Sequence, residues 1–142
     1  MTIDTATLAG QLRSMEVFNE LPEPVLQELA QKSTIVHAAA GQVIFHKNQP
    51  AKSLYLILSG AAKVHDDDYT VAEMPAGACF GELALLDAGP RSMSVTATVP
   101  TTLLRIQRNV FFDAVGHTPD LLQKIVGLLS RRLRCQTEQA VE

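Results

Sequence analysis

Ser53-Leu54-Tyr55-Leu56-Ile57-Leu58-Ser59-Gly60-Ala61-Ala62-Lys63-Val64 is the stretch that decides the fold. An apolar run stops at a glycine, and a second short run starts at once on the far side. That is the pattern of two strands meeting at a tight turn. The same texture extends in both directions. Ile35-Val36-His37 and Val43-Ile44-Phe45 precede the stretch, and Tyr69 to Met74, Ser94 to Val99 and Leu103 to Ile106 follow it, punctuated by Gly41, Gly77 and Gly89. No segment among them is long enough for a crossover helix, so the sequence predicts an antiparallel barrel or sandwich. Asp66-Asp67-Asp68 falls between two of the runs. Three adjacent carboxylates point in different directions, which suits a solvated hairpin tip better than a cation site.

Both ends read as helix. Leu8, Leu12 and Met15 recur at helical spacing, and Pro22-Glu23-Pro24 opens a second short helix carrying Val25, Leu26 and Leu29. After Gln107, Val110, Phe111 and Val115 make a short helix that stops near Gly116. Thr118-Pro119-Asp120 then starts a longer one with a broad apolar face through Leu121, Ile125, Leu129 and Leu133. The expectation is one domain over 1–142, with helices at about 6–31, a barrel at about 34–107 and C-terminal helices at about 108–139.

The chain has 142 residues, 46% of them hydrophobic, which supplies a core without metal or disulfide staples. A formal net charge of −3 argues against a surface that binds nucleic acid directly. Only two cysteines, Cys79 and Cys135, are present, in no metal-ligand spacing, so a reducing cytoplasmic setting is expected. No apolar stretch approaches the ~20 residues that cross a bilayer. The four histidines are scattered, and no P-loop, zinc-protease or nucleophile-elbow motif is present. No catalytic residue, metal or cofactor is therefore expected.

Phe80-Gly81-Glu82-Leu83-Ala84-Leu85-Leu86-Asp87-Ala88-Gly89-Pro90-Arg91-Ser92-Met93-Ser94-Val95 carries the chemistry. It reads as a strand end, a glycine, about a turn of helix, a Gly-Pro turn and an arginine entering the next strand. Gly81 lets backbone approach a ligand closely. The short helix offers unpaired N–H groups, from Leu83 and Ala84, to an anion. Arg91 adds a permanent charge and a planar fork of donors suited to phosphate. Glu82 only accepts hydrogen bonds when ionised, which makes sense if the ligand also presents a hydroxyl.

This segment resembles the phosphate-binding cassette of the cyclic-nucleotide-binding family, which includes kinase regulatory subunits, gated channels and catabolite-type activators. The likeness rests on Gly81-Glu82-Leu83-Ala84, the step from Glu82 to Arg91, and Pro90-Arg91-Ser92. It implies an antiparallel jelly-roll β-barrel flanked by short N-terminal helices and a long C-terminal helix. It implies a non-catalytic sensor of a cyclic mononucleotide, cAMP ahead of cGMP, although a serine at position 92 occurs with both. Glu82 then takes the ribose 2′-hydroxyl and Arg91 the cyclic phosphate, with backbone amides of Ala84 and Ser92 completing the cradle. Arg134, Gln136 or Thr137 reaches the base from the last helix, acting as a lid. Two features depart from the family pattern. Met93 stands where a small residue is usual, and Asn48-Gln49-Pro50-Ala51 lacks the usual glycine; neither is expected to touch Glu82 or Arg91.

Three other readings stay open. The chain is the sensor part of a longer transcription regulator, channel or transporter, since a catabolite-type activator needs a helix-turn-helix beyond Glu142. Or it is a degenerate barrel that no longer binds nucleotide, or an enzyme acting on one, for which no metal-ligand cluster is visible. The apolar surface of the last helix leaves both a homodimer and a monomer open.

Overall fold

The computed structural model describes residues 4–14, 18–19, 21–81, 89–91 and 93–116, together with Asp120, Gln123, Val126, Gly127 and Ser130. Helix α1 (Thr5–Arg13) starts at Asp4, whose carboxylate accepts from the Thr7 N–H at 2.7 Å, and buries Leu8, Ala9 and Leu12 along one face. Helix α2 (Glu23–Lys32) has a proline in its first turn and buries Leu26, Leu29 and Ala30. An exposed ion pair between Arg13 and Glu23 joins the two helices.

Eight strands follow in order: β1 (Thr34–Ala38), β2 (Val43–Phe45), β3 (Ser53–Ser59), β4 (Ala61–Asp66), β5 (Tyr69–Pro75), β6 (Cys79–Phe80), β7 (Ser94–Ala97) and β8 (Thr101–Gln107), with helix α3 (Arg108–Val115) closing the series. They form two four-stranded sheets, ordered β1-β8-β3-β6 and β2-β7-β4-β5, with antiparallel pairing between the neighbours in each. This is the jelly roll expected from the sequence, built as two facing sheets rather than as one continuously hydrogen-bonded barrel.

β3 explains why its sequence is apolar at every step. Leu54 and Leu56 join the cluster formed with the helices, alongside Leu104 and Ile106 of β8 and Leu12, Phe18, Leu29 and Phe111. Tyr55 and Ile57, one step out of phase, face the interior between the sheets with Phe45, Ala62, Phe80, Val95 and Leu103. Both faces of the strand are covered, so the usual polar alternation disappears. Gly60 (φ +95) then turns the chain where a Cβ would lie 2.6 Å from the Pro100 carbonyl and 2.6 Å from Thr101 Oγ1, which leaves glycine as the residue that fits.

Some boundaries differ from the sequence expectation. β7 stops at Ala97 rather than Val99, because Thr98-Val99-Pro100 turns the chain and Thr98 N–H donates to the Ala61 carbonyl at 3.0 Å. β8 starts two residues before Leu103, at Thr101. The hairpin tip is as read: Asp67 adopts φ +51, and Asp66 pairs with Lys47 at 3.2 Å. His65 lies in β4, with Nδ1 2.8 Å from the Asp67 carbonyl and Nε2 2.7 Å from Thr96 Oγ1. Of the C-terminal helix, Asp120, Gln123, Val126, Gly127 and Ser130 are helical, and the rest lies outside the described residues. Among the described residues no helix is long and apolar enough to cross a membrane, and no group of three or more His, Cys, Asp or Glu is placed to hold a metal ion.

Candidate functional site

Arg91 is the centre of the site, and short backbone bonds fix its position. The segment Gly89–Arg91 lies antiparallel to the turn after β2. Arg91 N–H donates to the Gln49 carbonyl at 2.7 Å, Asn48 N–H to the Arg91 carbonyl at 2.9 Å, and Ala51 N–H to the Gly89 carbonyl at 2.9 Å. Pro50 and Pro90 sit opposite each other in an isolated bridge. Neither proline has an N–H to donate, which limits the ladder to its flanking residues.

This corrects one expectation. The turn Asn48-Gln49-Pro50-Ala51 does touch Arg91, through its backbone. Sequence reading had no means of pairing segments about forty residues apart. The missing glycine is also accounted for. Asn48 adopts φ +76, the left-handed region that asparagine tolerates better than most side chains. Gln49 steadies the turn by accepting from His46 N–H through Oε1 at 2.8 Å.

The Arg91 side chain is 7% exposed and reaches across the space between the sheets. Nη2 donates to the Ser53 carbonyl at 2.6 Å and Nη1 to the Gly81 carbonyl at 3.3 Å. The guanidinium lies over the Phe45 ring, 4.0 Å from its centroid. Phe45 in turn packs against Tyr55 and Phe80, with ring centroids 5.9 and 5.8 Å away. Arg91 Nε is buried with no hydrogen-bond partner among the described residues. Burial pulls the Arg91 pKa down, an effect that Tyr55 partly offsets, yet an arginine stays charged at neutral pH. The result is a buried cation held by carbonyl oxygens and an aromatic face, with no carboxylate among its described contacts.

Gly81 packs directly against the arginine. At φ +78 an added Cβ would lie 2.8 Å from Arg91 Nη1 and 3.3 Å from the Ser53 carbonyl. The absence of a side chain at Gly81 thus permits a close approach of the arginine. Gly81 and Arg91 are thus brought together, whereas Glu82, Leu83, Ala84, Ser92, Arg134, Gln136 and Thr137 lie outside the described residues. Met93 is half-buried and does not line the cleft beside Arg91. That open cleft, of about 260 Å³, is lined by Ile44, Phe45, Gln49, Pro50, Lys52, Ser53, Tyr55 and Arg91. Sequence reading missed Phe45, Ser53 and Lys52 as site residues. They belong to segments far from the cassette, and nothing in their local pattern marks them.

Comparison with known proteins places this geometry. A curated relative, the cyclic AMP receptor protein of Thermus thermophilus, is 33% identical over 99 residues, 66% of this chain and 46% of that protein. An uncharacterized NTE family protein of Mycobacterium bovis is 30% identical over 124 residues, 87% of this chain but 21% of that one. The chain thus spans less than half the length of either relative. Among solved structures, the N-terminal domain of a transcriptional regulator from Streptomyces coelicolor superposes with a TM-score of 0.77 at 26% identity, covering 90% of this chain and 95% of that one. The family model described as "Cyclic nucleotide-binding domain" matches residues 35–117, from the first strand past the buried arginine to the helix that follows the sheets, and the chain belongs to that family.

Proposed function

We propose that this chain is a ligand-sensing module that binds a cyclic mononucleotide, cAMP in preference to cGMP, and catalyses no reaction. The observation that carries the reading is Arg91: a buried cation, 7% exposed, oriented by two carbonyls and a ring but matched by no carboxylate among its described contacts. Such a group favours an anion that enters its pocket, because Coulomb attraction is strong where water is scarce. A cyclic phosphate supplies one charge and two exocyclic oxygens, which suit the guanidinium fork. In this reading Glu82 accepts from the ribose 2′-hydroxyl, the amides of Ala84 and Ser92 complete the phosphate cradle, and Arg134, Gln136 or Thr137 closes over the base.

The preference for cAMP is supported by the printed name of the Thermus relative. That name, and the unlike ones of the Mycobacterium and Streptomyces proteins, also support a module joined to different output domains in a longer protein. Titration calorimetry with cAMP and cGMP on wild type and Arg91→Ala tests the reading. Wild type is expected to bind cAMP more tightly, and Arg91→Ala to lose about 2–5 kcal/mol of binding while staying folded by circular dichroism. Equal affinity in the two proteins, or no binding by wild type, overturns it and favours the non-binding barrel.

A further inference from the structure

We propose that Lys47 and Asp66 are positioning residues for Arg91: from outside the cleft they hold the turn that fixes the arginine backbone, and so set the affinity of the site for its ligand. Neither residue lines the cleft beside Arg91. Lys47 nevertheless precedes Asn48, whose N–H donates to the Arg91 carbonyl at 2.9 Å, and Arg91 N–H donates in return to the Gln49 carbonyl at 2.7 Å. Wherever this turn moves, the Arg91 backbone moves with it. Gln49 N–H donates to the His46 carbonyl at 3.2 Å, a bond that shapes the turn without anchoring it. The anchors come from Lys47. Its N–H donates to Ser94 Oγ at 2.9 Å, and its ammonium lies 3.2 Å from each carboxylate oxygen of Asp66.

The two anchors reach different strands of one sheet. Ser94 opens β7, and Asp66 ends β4, 19 residues from Lys47 in the sequence. Asp66 is itself held. It pairs with Tyr69 across the hairpin, and the adjacent His65 ring bridges the Asp67 carbonyl and Thr96 Oγ1 at 2.8 and 2.7 Å. The Arg91 guanidinium, by contrast, reaches the other sheet at the Ser53 carbonyl of β3 and the Gly81 carbonyl just after β6. Arg91 therefore spans the two sheets, with its backbone referred to one and its charge to the other. The Lys47–Asp66 pair controls the first of these. Its side chains are 43% and 38% exposed, so its contribution is modest and sensitive to salt.

The effect on affinity rests on the nucleotide reading, so the test has one arm with ligand and one without. In the first, cAMP is titrated calorimetrically into the whole chain as wild type, Lys47→Gln, Asp66→Asn, and the exchanged pair Lys47→Asp with Asp66→Lys. Each single change is expected to weaken binding about two- to five-fold, the size expected of one part-exposed ion pair, and the exchange to restore it. The sign for Asp66→Asn is decisive. Removing a negative charge favours an anionic ligand through Coulomb attraction, so weaker binding reports lost positioning. In the second arm, amide hydrogen exchange is read at Asn48 and Arg91 in the chain without ligand. It is expected to quicken in both single variants and to slow again in the exchanged pair, with thermal unfolding checking that every variant is folded. Tighter cAMP binding by Asp66→Asn, or exchange at Asn48 and Arg91 that stays at the wild-type rate, overturns the proposal. If wild type binds no cAMP while exchange responds as expected, the nucleotide reading fails and the positioning of Arg91 stands.

Discussion

Replacing Arg91 by lysine keeps the charge and removes the shape, so it isolates what the guanidinium geometry contributes. In the native protein one planar group reaches the Ser53 carbonyl at 2.6 Å and the Gly81 carbonyl at 3.3 Å while lying 4.0 Å above the Phe45 ring. A charge-assisted hydrogen bond contributes about 1.5–3 kcal/mol, and the longer of these two belongs at or below the lower end of that range. An ammonium keeps one of the bonds and loses the other. It also loses much of the flat contact with Phe45, a cation–π term of about 0.5–1 kcal/mol. Arg91→Lys is therefore expected to destabilise the fold by about 2 kcal/mol, which lowers the melting temperature of a chain this size by roughly 4–8 °C. Urea unfolding followed by circular dichroism reads the difference directly.

The deficit should also depend on pH. Burial disfavours the charged form at this position, so the introduced amine has a folded-state pKa below its unfolded value of about 10.4. Between those two values the unfolded chain binds more protons than the folded one, and stability rises with pH. The gap between variant and wild type is therefore largest near neutrality and narrows as pH approaches 10, while the arginine stays protonated throughout. A variant within about 0.5 kcal/mol of wild type would refute the structural role of the fork. A gap constant from pH 7 to 10 would refute the desolvation argument.

Gly81→Ala places a methyl group 2.8 Å from Arg91 Nη1 at φ +78; a loss of about 1–2 kcal/mol is expected from the backbone strain, with a shift of the Arg91 side-chain resonances, and unchanged resonances would count against the contact. Asp4 has its pKa lowered below the usual 3.8, first by the backbone hydrogen bond from Thr7. Its cap is therefore fully present above that usual value and lost as pH falls through the lowered one. The Thr7 amide shift should titrate in that acid window and stop doing so in Asp4→Asn, whereas a midpoint at or above 3.8 contradicts the cap. For the proposed ribose contact, the 2′-deoxy ligand should bind about 1–3 kcal/mol more weakly than its parent, and Glu82→Gln should shrink that difference; equal affinities give Glu82 another job.

What the sequence disclosed and what it withheld divide along a physical line. Ser53 to Val64 is legible because an apolar run of strand length is cut off by a glycine and a second run starts at once, and because Gly60 sits where only a glycine fits between the Pro100 carbonyl and Thr101. Which strand lies beside which is not legible from period alone, since β3 pairs with β8 and β6 rather than with its neighbour β4. The jelly-roll order came from resemblance to a family. β6 is two residues long, too short for any alternation to register. At the site, Gly81 and Arg91 announced themselves through a local motif. Their partners did not: Ser53 lies 38 residues before Arg91, and a backbone carbonyl leaves no trace in a side-chain pattern. Asn48 illustrates the intermediate case. Its departure from the family's glycine is visible in the sequence, whereas its φ of +76 and its bond to Arg91 belong to the fold.

The carbonyl partners also bear on how such a module transmits occupancy. A ligand shifts a conformational equilibrium only through contacts that differ between the states. Arg91 already makes contacts that an anion alters. Its guanidinium ties the end of β6, through Gly81, to the start of β3, through Ser53, and its backbone ties both to the turn after β2. Ser53 is adjacent to Leu54, which is fully buried in the cluster shared with α1, α2 and α3. Any anion that draws the guanidinium away from the Ser53 carbonyl therefore acts one residue from the strand face that carries the helices. The interior ring stack of Phe45, Tyr55 and Phe80 leaves little slack to absorb such a movement, because close-packed side chains resist gradual deformation. The arginine proposed to meet an anionic ligand is thus also the group that ties the end of β6 and the start of β3 to the turn after β2, so a ligand drawn to it would act on all three segments through a single side chain.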